Sequence, residues 1–132
     1  MKILKVMARS YVTPADLDET IAFYEQLLRE KCEIRFPIPA LGIEIAAVGA
    51  MHLVAGMEEK LAPFREVRAA FFVDSVAQYK DELERLGATI LQQPQPGPFG
   101  MFMIAKHRDG LTVEYADKVT SYVSKHRIRR IF

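Results

Sequence analysis

Arg9 and Arg68 are the residues whose type and spacing point most directly to chemistry. They stand 59 positions apart, each inside an apolar stretch, Met7-Ala8-Arg9-Ser10-Tyr11 and Val67-Arg68-Ala69-Ala70. A guanidinium is charged at every working pH and presents a rigid fork of N–H donors, so a pair of them suits two-point capture of a carboxylate or phosphate. Glu114 is the acid that answers them, as a base, a ligand anchor or a counter-ion in an Arg–Glu–Arg bridge. His52 titrates nearest to neutral pH, which suits proton transfer or a structural hydrogen bond. Met7 and Tyr11 flank Arg9 by two residues and Phe72 follows Arg68 by four. Strand alternation puts all three on the arginine faces, as the walls of a small-molecule pocket with one hydroxyl or as ordinary core. Glu44 sits among apolar residues and faces either that pocket or water. The one cysteine, Cys32, has no histidine close in sequence and reads as a silent thiol.

Local patterns supply elements to hold these groups. Alternation predicts a strand over 6–12. Thr13-Pro14-Ala15-Asp16 then opens a helix with Thr13 as cap, and Leu17, Ile21, Tyr24, Leu27 and Leu28 form its buried stripe. Strands follow over 34–36, 43–48 and 51–55, with Gly49 turning the second into the third. The same order returns after a connector: a strand over 67–73, a helix capped by Ser75 and ended by Gly87, and strands near 89–92, 101–105 and 112–115. The chain is a βαβββ unit written twice. One helix covers one face of each sheet, and the two bare faces line a cleft. The fold class expected is therefore α+β, two modules forming a curved sheet.

Composition bounds the rest. The chain has 132 residues, 50% of them hydrophobic and 27% charged, which excludes a disordered segment. Eighteen basic residues balance seventeen acidic ones, so no global field draws the protein to nucleic acid or an anionic membrane. A single cysteine excludes an internal disulfide or a CxxC metal knuckle. The start, Met1-Lys2-Ile3-Leu4-Lys5, does not read as a secretory signal, and the most apolar run, Ile45 to Met51, is far shorter than a membrane span. A cytoplasmic address is the expectation. Residues 118–132 are rich in lysine and arginine and read as a basic tail, able to act in assembly.

Three segments carry a resemblance: Asp16 to Leu28 (DLDETIAFYEQLL), Phe71 to Ile90 (FFVDSVAQYKDELERLGATI) and Arg108 to Asp117 (RDGLTVEYAD). In order and spacing they resemble the glyoxalase/bleomycin-resistance/extradiol-dioxygenase superfamily, the vicinal oxygen chelate proteins. The last segment matches that superfamily's usual DPDG…(I/L)E ending, with Arg108 in place of the proline. The resemblance implies one domain over 1–117, with module one at 1–56 and module two at 65–117, and a homodimer. It also implies a metal site with positions falling on Arg9, His52, Arg68 and Glu114. Arginine in two of these argues against the ion. At 4 Å and an effective dielectric of 20, a divalent cation and one guanidinium repel by roughly 8 kcal/mol. The expected function is metal-independent binding of an organic anion or aromatic molecule, without a cofactor, as in sequestering resistance-type proteins. Ligand contacts are expected from Arg9, Arg68, Glu114, His52, Met7, Tyr11 and Phe72. The alternatives are a lyase or dioxygenase using a divalent metal ion, or a metal-free isomerase, with Glu114 and His52 as catalytic groups.

Overall fold

The structure is a computed structural model and describes residues 1–97 and 100–117. The basic tail expected at 118–132 lies outside the described residues. The first module comprises β1 (Ile3–Val12), α1 (Leu17–Leu28), β2 (Ile34–Ile38), β3 (Ile43–Val48) and β4 (Met51–Gly56). A connector holds the short α2 (Glu58–Leu61) and a 3-10 turn at Ala62–Phe64. The second module comprises β5 (Ala69–Val73), α3 (Val76–Arg85), β6 (Thr89–Pro96), β7 (Met101–Lys106) and β8 (Thr112–Ala116). The fold is α+β, with the βαβββ order occurring twice, as the patterning predicts.

All eight strands form one sheet in the order β2-β3-β4-β1-β5-β8-β7-β6. Each module's first strand lies at the centre. β1 pairs antiparallel with β5 across the seam, and Arg9 N–H donates to the Arg68 carbonyl at 3.0 Å. Within each module the first strand runs parallel to the last, β1 with β4 and β5 with β8. The outer strands are β2 and β6, which carry Pro37 and the pair Pro94 and Pro96.

The helices cover one face. Leu17 and Ile21 of α1 pack on Ala46, Val48, Leu53 and Ala55, while Val76 and Leu83 of α3 pack on Val73, Met103, Val113 and Tyr115. Burying such side chains is the main stabilising term of a domain this size. Leu27 of the expected stripe points away and is 61% exposed. The opposite face is half filled. Met7, Ile34, Ala47, Phe72 and Ala116 form one cluster there, and Leu61 of the connector closes on Ile45 and Val54 in another.

Local chemistry sets the ends. Ser75 Oγ accepts from the Gln78 N–H at 3.2 Å, the cap expected of it. Thr13 does not cap α1. A 3-10 turn at Pro14–Asp16 delays that helix to Leu17, so the Thr13 hydroxyl is out of reach and donates to Asp16 Oδ2 at 3.0 Å. Gly49 turns β3 into β4 at φ +55°, and a Cβ there would lie 2.1 Å from Glu30 Oε2. β5 begins at Ala69, two residues later than alternation suggests, which leaves Arg68 outside the strand.

Candidate functional site

The half-filled face encloses a cavity of about 550 Å³, within the range of small-molecule sites. Its walls are apolar: Ile43, Ile45 and Val54 from the first module, Phe72, Phe102 and Ile104 from the second. Phe64 of the connector and the β6–β7 loop also border it. Arg9, His52 and Glu114 supply its charged and titratable chemistry, beside the amides of Gln92 and Gln95.

Strand register brings that trio together. Arg9 on β1 lies beside His52 on β4, and Glu114 on β8 lies beyond β5, opposite Ala70. Ala70 leaves room for the Arg9 side chain to cross the seam. Its Nη2 ion-pairs with Glu114 Oε1, and its Nε donates to His52 Nδ1 at 3.1 Å. The Arg9 side chain is 5% exposed and that of Glu114 28%. Burial opposes the Arg9 charge, but Glu114 and Tyr11 more than offset it and hold its pKa above the ordinary value. Burial, and then the Arg9 charge, hold His52 well below the histidine range, so its imidazole is neutral.

The other expected contacts stand elsewhere. The Arg68 backbone donates to the Thr112 carbonyl at 2.9 Å, but its side chain is exposed, outside the cavity lining, with no ion pair among the described residues. The two guanidinium groups do not form a joint fork, because Arg68 precedes β5 rather than lying within it. Met7 is fully buried under the cavity floor rather than lining it. Tyr11 turns its hydroxyl to the connector, donating to the carbonyls of Phe64 (2.5 Å) and Val67 (2.7 Å). Phe72 lines the cavity as expected. Glu44 pairs with Arg35 at 2.8 Å, away from the cavity. The Cys32 thiol is half-buried, and burial pushes its pKa up.

Sequence reasoning missed Phe64, Gln92 and Gln95. Period-two alternation around Glu44 was the available signal for Ile43 and Ile45. No local pattern marks the connector residue Phe64. The buried Asp117, at the end of the third resemblance segment, proves structural. Its carboxylate accepts from Val76 N–H (3.1 Å) and Met101 N–H (2.9 Å), joining β8 to α3 and β7.

The donors present do not fit a divalent ion. Tyr11 faces Val54 as Ala70 faces Glu114, so the repeat counterpart of Glu114 is Val54, and His52 corresponds to Thr112. Two loops of uneven length displace the count that placed His52 there. What remains is one carboxylate and one imidazole with a guanidinium bonded to both, and no group of three His, Cys, Asp or Glu gathers among the described residues.

No family model matches the chain, and neither does any curated protein. Solved structures do. An uncharacterized protein from Methanosarcina mazei is 42% identical, with a TM-score of 0.78 over 89% of this chain and 94% of that one. Methylmalonyl-CoA epimerase from Mycobacterium tuberculosis is 17% identical, with a TM-score of 0.67 over 90% of this chain and 93% of that one. A Streptomyces coelicolor methylmalonyl-CoA epimerase variant in complex with 2-nitronate-propionyl-CoA is 18% identical, with a TM-score of 0.60 over 88% of this chain and 98% of that one. The two epimerases share the fold with this chain, and the identity to the Methanosarcina mazei protein over nearly the whole of both chains shows that this protein belongs to the same family as that one.

Proposed function

We propose that this protein is a vicinal oxygen chelate superfamily member that binds a small, largely apolar organic molecule without a metal ion. The observation that carries this is the cavity itself: apolar walls around a floor where the Arg9 guanidinium is ion-paired with Glu114. A cation approaching Glu114 meets the Arg9 charge, whereas an apolar molecule meets only wall. Thermal-shift and calorimetric screens of aromatic and short-chain organic compounds test the reading, with and without EDTA. Ligand binding indifferent to EDTA is expected. One equivalent of zinc or manganese bound at micromolar affinity, with a raised Tm, overturns it.

A second reading is a metal-free isomerase with Glu114 as base. It is favoured by the position of that carboxylate, on the cavity wall and 28% exposed, and by the fold shared with epimerases. Exchange of a substrate's α-proton for solvent deuterium, lost in Glu114→Gln, supports it. Binding without exchange supports the first reading. A homodimer is proposed on the resemblance alone, and sedimentation mass tests it.

A further inference from the structure

We infer that the buried end of the ligand is an uncharged carbonyl oxygen, accepted by the Nε2–H of His52. This deepens the cavity reading above and rests on it. The chemistry of Arg9 fixes the proton. Arginine Nε only donates, and it lies 3.1 Å from His52 Nδ1, so Nδ1 presents a lone pair. A neutral imidazole with a lone pair on Nδ1 carries its hydrogen on Nε2. A protonated ring would set one N–H against another.

That Nε2–H is buried and has no partner among the described residues, while its ring borders the cavity. Native interiors rarely leave a buried donor unmatched, and those that remain call for an occupant. The occupant must accept a hydrogen bond, which excludes an ammonium group at this point.

Charge decides between an anion and a neutral acceptor. The Arg9 charge is matched by Glu114, His52 is neutral, and Gln92 and Gln95 carry no charge. The floor has no net positive charge to offer. A carboxylate would meet the Glu114 carboxylate and a guanidinium already engaged twice. A ketone, aldehyde, ester or amide pays no such repulsion, and its apolar remainder fits walls such as Val54, Phe72 and Ile104. The organic-anion part of the sequence expectation depended on a second guanidinium, which Arg68 does not provide.

Three probes of similar size test this: acetophenone, benzoate and ethylbenzene, titrated into the full chain at pH 7. Acetophenone is expected to bind at least tenfold more tightly than the other two, and His52→Leu is expected to remove the preference. Nitrogen-15 NMR of His52 in the wild-type protein needs no variant. It is expected to show the Nε2-protonated tautomer, with that proton shifting when acetophenone is added. Benzoate binding as tightly as acetophenone overturns the neutral-carbonyl inference and leaves the cavity reading standing. So does a His52 ring protonated on Nδ1. Failure of all three probes to bind overturns the cavity reading, and this inference with it.

Discussion

Arg9 ties three strands together with one side chain: it starts on β1, holds His52 on β4 and reaches Glu114 on β8. Removing it strands a carboxylate and an imidazole nitrogen in a poorly solvated place. Arg9→Met is expected to lower stability by about 3 kcal/mol in urea denaturation. Adding Glu114→Leu should restore most of the loss, to within about 1 kcal/mol of the parent, because a buried ion pair replaced whole by apolar groups costs little. His52 gives a pH signature. Its folded-state pKa lies well below the unfolded value of about 6.5, so in mild acid the unfolded chain takes up a proton that the folded chain refuses. Stability is therefore complete above about pH 6.5 and declines as pH falls, by up to about 1.4 kcal/mol per unit, until the folded pKa is reached. Denaturation midpoints between pH 7.5 and 5 measure the slope, and His52→Gln should flatten this part of it.

Elements were legible where their causes are local. The α3 cap at Ser75, the turn at Gly49 and the paired stripes of Leu17 with Ile21 and Val76 with Leu83 all rest on neighbours in sequence, and the structure has them. Reading failed where long-range register decides. Alternation carries Val67 to Val73 as one strand, yet pairing leaves Arg68 outside β5, and that detail removed half of the expected anion fork. The same applies to His52 and Val54, two positions apart and both on the cavity face, which only the β1–β4 register tells apart. Asp117 looks functional by motif and works as a clamp between elements. Asp117→Ala should cost about 3 kcal/mol by orphaning two buried N–H groups. Hydrogen exchange should speed up at the Val76 and Met101 amides first.

At the scale of the whole molecule, the two copies of the βαβββ unit are joined by the antiparallel β1–β5 pairing and by an ion pair between residues 9 and 114. Neither half completes the cavity, since Val54 comes from one and Phe72 from the other. Unfolding is expected in one transition, with circular dichroism and tyrosine fluorescence giving coincident midpoints. Two separated midpoints would show halves that melt independently.

The prolines at the two ends of the sheet matter beyond the chain's own folding. An outermost strand offers unused N–H groups to any passing polypeptide, and Pro37, Pro94 and Pro96 each delete one. Lateral growth of ribbon upon ribbon, the first step toward fibrils, is thereby discouraged at both flanks. Replacing these residues by threonine would remove that safeguard.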